Sequence, residues 1–529
     1  MDLQDNKEIF PSEKSDNNDI VLTEDDTLNP KYSQGNTTFL GAFLQIGNTI
    51  LGAGIISLPV VIRYLGFILG IVFIIIIAFL TVYSCYLLLK AHQITGKRKY
   101  SSIAHAAMGS KGYLFTNSMI ILNNFGLCAV YFRIFGDTIQ NVVGGYVSED
   151  NFLITNWHNF LYIIIILFLM CFIIWTEDFK KFEKTSFLGM IGILVYFITL
   201  IILFFYKTSK GFEPYYNSDS YFVADEYTNI LISLPSVFLS FSFQYNLFPI
   251  YSGLIQRTHF EMINITEMSI FFCLILYILS GVIGYLLYGE NLTDTILLAF
   301  LKDMQDDNTD QLMKTLLIII NIGFLTCSTT SIPLVYYTLK QTFFSTYKYL
   351  TKKKEKEGKN IEMTTVSKNE DPNFNINFNI NNNINEEEDD SSVDDSSENI
   401  KTNINEPKES DNQRQDSIAS IESAIDDKSK KIRVNVERKE EIIISSILYI
   451  SVGIVTILIP KLKSLFNIVG CTAANAIQFI IPSLIIVCLG PKAEKLVNLL
   501  PAKFLLGFGI ISMVICFIGE ILHLFSSDS

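Results

Sequence analysis

The sequence predicts an all-α membrane protein of about eleven transmembrane helices, arranged as two five-helix halves with one helix added. Three observations carry this. The chain is 50% hydrophobic over 529 residues, with a mean hydropathy of +0.35, a composition rare among soluble proteins of this length. Apolar runs long enough to cross a bilayer recur along it. Two of those runs, five spans apart, are interrupted by glycine, proline and polar residues.

The net charge of −13 conflicts with a membrane location only until its distribution is read. Acidic residues concentrate before Thr38 and between Lys352 and Glu441, and the apolar body carries few charges. No basic face exists to neutralise phosphates, so lipid is the expected surroundings and nucleic acid is not an expected partner. All 8 cysteines fall inside apolar runs, which argues against a disulfide in an external loop. No Cys-x-x-Cys or histidine cluster offers a metal site. The chain is polar and acidic through Ser33, so no cleavable signal peptide is expected and the first apolar helix serves as the anchor.

The first span, 38–63, reads N-T-I-L-G-A-G-I-I-S-L-P from Asn48 to Pro59. Gly52-Ala53-Gly54 is the place where a helix unwinds most cheaply. At membrane depth, exposed N–H groups there can receive a carboxylate and exposed carbonyls a cation. The competing reading is a glycine notch between packed helices. The second span, 66–90, is apolar throughout, and the third, 113–143, is long enough to tilt. Arg133 and Asp137 in the third are spaced to pair on one face, for structure or for gating. The fourth and fifth are placed at 159–176 and 184–206.

The sixth span, 229–251, clusters Ser240, Ser242, Gln244 and Asn246 between Pro235 and Pro249. The prolines mark it as a second broken helix. A Ser/Gln-rich interface is the alternative. The seventh runs 265–288, and the eighth, 312–342, holds T-C-S-T-T-S-I-P from Thr326 to Pro333. Those hydroxyls suit a hard cation, or they back-bond to their own helix. The ninth, tenth and eleventh fall at 441–460, 465–489 and 502–525. Small residues from Asn467 to Ala476 favour close packing. Glu520, near the outer end of the last span, is expected to snorkel toward the interface.

Four regions follow: a disordered tail, 1–37; helices one to eight, 38–345; a disordered acidic loop, 346–440; and the last three helices, 441–529. The loop is either a tolerated insertion or a docking platform for cytoplasmic partners. Lysine and arginine (Lys97, Arg98, Lys99, Lys180, Lys181, Arg257, Lys352, Lys353, Lys492) gather on the side of the N-terminus. That bias places the N-terminus in the cytoplasm and the C-terminus outside the cell or in a lumen.

Together these residues resemble the sodium-coupled neutral amino acid transporters of the amino acid/auxin permease family. The resemblance rests on 48–59, 234–251, 331–338 and 466–475 and spans all the apolar segments. It implies the leucine-transporter fold, two inverted five-helix repeats plus a helix. It also implies that Asn48 and Ser331, with Thr330 beside it, are sodium ligands. Gly52, Ala53 and Gly54 would receive the substrate carboxylate, and Ser240, Ser242 and Gln244 its amino group and side chain. One departure stands out. Many members carry a histidine triplet where this chain has Gln244-Tyr245-Asn246, so no group there titrates near neutral pH. The expectation is a symporter of neutral amino acids and not an enzyme, with sodium or a proton as coupling ion and no other cofactor. A proton-coupled or uniport carrier of a vacuolar or lysosomal membrane is the nearest alternative to a plasma-membrane symporter. An amino acid sensor signalling through the acidic loop is the alternative of another class.

Overall fold

The computed structural model describes residues 37–144, 182–215, 227–292, 294–306, 309–368, 439–459 and 462–527, with Gly35, Tyr146, Phe222, 164–165 and 168. Among the described residues, nine helices are long and apolar enough to cross a membrane, or up to ten if a bent pair counts as one span. Most of the expected fourth span, of the N-terminal tail and of the acidic loop lies outside the described residues.

The bent pair is α1 (Phe39–Gly54) and α2 (Leu58–Leu65), which meet at 57°. The Thr38 hydroxyl starts α1 by accepting from the Gly41 N–H at 3.1 Å. The break occupies residues 55–57, just after the glycine pair and not at it. Pro59 sets that place. It has no N–H for the Ile55 carbonyl, and its fixed φ suits the first turn of a new helix. The Ser57 hydroxyl donates to the Gly54 carbonyl at 2.8 Å and closes the end of α1.

Next come α3 (Phe67–Thr95) and α4 (Tyr100–Gly144), the latter kinked at Gly109, whose φ of +65° few other residues adopt. Thus α4 begins well before the expected start of the third span. Then follow α5 (Phe182–Ser209) and the second broken span, α6 (Tyr227–Ser240) and α7 (Gln244–Gly253). Both prolines lie inside these half-helices, and the break falls between them at residues 241–243. The polar cluster marks it better than the prolines do.

The chain continues through α8 (His259–Tyr288), the short α9 (Ile296–Gln305) and α10 (Gln311–Lys368). The last runs past the expected boundary of the eighth span into the predicted loop, because the sequence after Lys352 is rich in lysine and glutamate at helical pairing distance. The closing elements are α11 (Lys439–Leu458), α12 (Leu462–Val469), two π-helical stretches at Gly470–Ala474 and Ala476–Ile480, α13 (Ile481–Leu489), α14 (Pro491–Glu494) and α15 (Leu499–Ser527).

The broken spans form the centre. In the most apolar stretch of Asn229–Gly253, 89% of residues are buried, against 33% in Phe67–Thr95. α1 packs on α5 and α8, α2 on α6 and α8, and α12 with the following π turn on α6. α5 and α10 cross backbone to backbone: a methyl on Gly192 would meet the Gly323 carbonyl at 2.5 Å, and one on Gly323 the Gly192 carbonyl at 2.7 Å. The periphery turns Phe79, Phe205, Phe504, Ile511 and Phe517 outward, as a lipid-facing surface requires.

At one end, the chain before α1 is pinned to the end of α7. The Thr37 N–H donates to the Gly253 carbonyl at 3.0 Å, and the Ile255 N–H to the Thr37 carbonyl at 3.1 Å, as a parallel bridge between Thr37 and Leu254. The opposite end carries Asp294 and Lys463, beyond α8 and at the start of α12.

Candidate functional site

The two breaks face each other. A methyl built on Gly54 would run into the Tyr277 hydroxyl and come within 2.7 Å of Ser240 Oγ. Tyr277, on α8, donates toward the Ile50 carbonyl at 2.5 Å and the Ser240 carbonyl at 2.9 Å. A phenol has one proton, so the two carbonyls share it. That shared bond ties the end of α1 to the end of α6. Gly52 is pressed by a second phenol: a methyl there would overlap Tyr131 Oη. The Tyr131 hydroxyl also stands within reach of the Ser331 side chain and the Ala53 backbone. Glycine at 52 and 54 is therefore a requirement of close approach.

Asn48 lies one turn earlier on α1 and is fully buried, yet neither its Oδ1 nor its Nδ2 has a partner among the described residues. Its oxygen stands beside Thr330 Oγ1 over Gly189 of α5, where a methyl would press on Asn48 Oδ1 and sit 2.5 Å from the threonine oxygen. Thr330 donates its proton to the Thr326 and Cys327 carbonyls, both at 2.9 Å, leaving its lone pairs for an acceptor role. Two oxygens turned toward one point suit a hard cation. Ser331 donates to the Cys327 carbonyl at 2.9 Å and turns toward Tyr131. Of the two hydroxyls named from the sequence, Thr330 is the one that shares Gly189 with Asn48.

Ser242 and Gln244 lie across the second break, toward α7. Ser242 Oγ is 3.5 Å from Asn123 Oδ1, and Gln244 Oε1 accepts from the Phe243 N–H at 3.0 Å. Gln244 Nε2, Asn123 Nδ2, Asn246 Nδ2 and Tyr245 Oη are buried without partners among the described residues. Each such group costs on the order of 1–3 kcal/mol unless something satisfies it. The lining is neutral, so the charges of a zwitterion would be met by dipoles: the N-terminal ends of α2 and α7 are positive, the C-terminal ends of α1 and α6 negative.

The structure thus gathers Gly52, Ala53, Gly54 and Ser240 under Tyr131 and Tyr277, and Asn48 with Thr330 over Gly189. Sequence reasoning missed Tyr131, Tyr277, Asn123 and Gly189. A tyrosine inside an apolar run was a usable signal, because its hydroxyl must find a partner there.

Two further polar places can now be located. Arg133 Nε is 3.0 Å from Asp137 Oδ1, the pairing expected from their spacing. Burial pushes the nearby Asp294 carboxyl above its ordinary range, opposed by the N–H and the charge of Lys463, the Leu462 N–H and Arg133. Glu520 corrects the sequence expectation. It does not snorkel: it is 5% exposed and accepts from Asn467 Nδ2 at 2.8 Å, because α15 turns this position toward α12 and not outward.

Paired helix breaks that face each other inside a lipid-facing bundle are the arrangement of the leucine-transporter fold. The fold is similar to that of MhsT, crystallised in complex with L-phenylalanine, with a TM-score of 0.50 and 11% identity over 91% of this chain and 98% of that one. Residues 35–525 match the family described as transmembrane amino acid transporter protein, and the chain belongs to that family. Among its relatives are amino acid transporter AVT6E of Arabidopsis thaliana, 23% identical over 64% of this chain and 70% of the relative. Sodium-coupled neutral amino acid symporter 2 of Danio rerio is 24% identical over 59% of this chain and 64% of the relative. Vacuolar amino acid transporter 2 of Saccharomyces cerevisiae is 26% identical over 54% and 59%. The chain therefore spans about three fifths of the length of the last two.

Proposed function

We propose that the protein carries neutral amino acids across a membrane by secondary active transport, with sodium as the coupling ion. Asn48 is the observation that carries this reading. A buried carboxamide with no partner, its oxygen beside Thr330 over Gly189, is costly unless a ligand completes it. A cation there sits one turn from Gly52 and Gly54, so it and a substrate carboxylate at the break would stabilise each other reciprocally. Ser240, Ser242 and Gln244 would take the amino group and side chain. Among the described residues this lining carries no charged side chain, which favours a substrate with no net charge.

Access would alternate as α1–α2 and α6–α7 rock against the glycine-locked pair α5 and α10. The lysine and arginine bias supports a cytoplasmic N-terminus, so the Thr37 end would face the cytoplasm. One relative named as a sodium-coupled symporter and one named as vacuolar leave two membranes in view, plasma and vacuolar or lysosomal. The buried Glu520 favours a second reading, in which protons take part in coupling.

Uptake of labelled amino acids into proteoliposomes, under an inward sodium gradient, an inward proton gradient or neither, tests the proposal. Concentrative uptake of neutral amino acids with sodium alone supports it. Concentrative uptake with protons alone supports the second reading. Binding without uptake under every gradient overturns both and points to a sensor.

A further inference from the structure

We propose that Glu520 is a proton-binding site whose occupancy is passed through Asn467 to Ser236 on the second broken helix. Glu520 sits in an otherwise apolar stretch of α15, and the ion pairs among the described residues do not include it. Ionisable groups at membrane depth are expensive and are kept for pairing or for function. The contact Glu520 does have is a carboxamide, Asn467, itself 1% exposed. Asn467 Nδ2 donates to Glu520 at 2.8 Å, and Asn467 Oδ1 accepts from Ser236 Oγ at 3.3 Å. The chain of bonds then runs inward. Ser240 Oγ donates to the Ser236 carbonyl at 2.7 Å, and the Ser240 carbonyl shares the Tyr277 proton with α1. Two sets of contacts, joined through the backbone of Ser236 and Ser240, link the last helix to both breaks.

The chemistry of the first set gives it two states. An ionised carboxylate only accepts, so the amide must show it the NH₂ and turn its oxygen to Ser236. Ser236 is then fixed as a donor. A protonated carboxyl carries an O–H, so the amide can turn over, accept from Glu520 and donate to Ser236. The Ser236 O–H, keeping its proton, is then free to turn toward the cavity that Ser236 lines with Ser57, Ser233, Asp294, Lys463 and Phe466. One proton is taken up and no other reactant is needed. The cavity also touches Asp294 and Lys463, toward the end of the molecule opposite Thr37.

The backbone is tight at the same place. A methyl on Gly470 would overlap the Pro235 carbonyl, next to Ser236, so α6 and the π turn after α12 touch directly. The titratable group facing Glu520 from this π turn is Cys471, and Cys516 lies one turn back on α15 itself. The Lys463 ammonium, at the start of α12, stacks on Tyr64 at 3.9 Å from the ring centre. His523 follows Glu520 by three residues in the sequence.

The uptake arm of the test rests on the transporter reading, and the labelling arm does not. Full-length protein in proteoliposomes is treated with dicyclohexylcarbodiimide, which modifies protonated carboxyls within apolar surroundings, at buffers from about pH 5.5 to about pH 8.5. The adducts are mapped by mass spectrometry. We expect an adduct on Glu520 that falls by up to about tenfold per pH unit once the site ionises. In parallel, substrate uptake at a fixed cation gradient is measured with pH varied on each side in turn. We expect E520Q to flatten the wild-type pH profile to within about twofold. N467A should keep the adduct and flatten the profile, separating proton binding from its relay, and it serves if E520Q fails to fold. Absence of an adduct, an adduct that does not change with pH, or a wild-type profile in N467A would overturn the proposal. A protein that labels with the expected pH dependence but takes up nothing keeps the site and loses the transport reading.

Discussion

At the scale of single residues the site is defined by atoms that lack something. Asn48 lacks partners, and Gly52, Gly54 and Gly189 lack side chains because other groups need the space. Asn48→Ala and Gly189→Ala should therefore act alike, one deleting the oxygen and the other crowding it. Each is expected to raise the half-saturating cation concentration for uptake about tenfold, equivalent to ~1.4 kcal/mol. Unchanged cation dependence in both variants would remove this pair of oxygens from the coupling site. Gly54→Val should abolish uptake while the protein still inserts and purifies as a monodisperse species, since even one methyl meets Tyr277 and Ser240. Substantial uptake by that variant would mean that the breaks do not close on the substrate. Asn48 and the glycines were legible in the sequence because polar and glycine residues are conspicuous in an apolar run. Tyr131 and Tyr277 were not. Their hydroxyls call for partners, but the mostly apolar runs around them do not say which way each phenol turns.

At the scale of elements, both breaks were legible but each was placed by the wrong residues. Pro59 and the polar cluster of the sixth span decide where the helices stop; Gly52 and Gly54 answer to Tyr131 and Tyr277, while Pro235 sits inside α6 beside Gly470. The bridge between Thr37 and Leu254 could not be read at all, because it depends on two chain ends meeting and not on side-chain type. It fastens the start of one broken span to the finish of the other. Thr37→Pro removes the N–H given to Gly253 and forbids that pairing. We expect amide hydrogen exchange at Ile255 and in the first turn of α1 to quicken by about tenfold or more. Exchange as slow as in the parent protein would show that the bridge does not hold this end shut.

For the molecule as a whole, the long acidic insertion divides the sequence without dividing the bundle. Lys340 Nζ lies 3.3 Å from Glu441 Oε1, and Tyr336 Oη donates to the Ser445 carbonyl at 2.5 Å, so α10 and α11 dock on either side of it. Replacing residues 369–438 by a flexible linker of about 20 residues should leave Tm and uptake close to those of the parent. Lys340→Ala, which keeps the insertion, should lower Tm clearly, because it strands a partly buried Glu441 at a cost of about 3 kcal/mol or more. The reverse ranking in thermal unfolding would make the insertion a structural element. Composition and charge distribution revealed the bundle and its polar appendages, since lipid permits few alternatives. The reach of α10 to Lys368 was hidden, because a charged helix beyond the bilayer resembles a polar linker in hydropathy. The π-helical stretches between Gly470 and Ile480 have a consequence for how this family can vary in length. A π turn holds one residue more than the α turn it replaces. Removing a residue there would tighten the π turn to an ordinary α turn and leave Asn467 and Gln478 in their present rotational phase. Insertions and deletions, which an ordinary membrane span rejects, have a place to occur here without turning the residues on either side onto new faces.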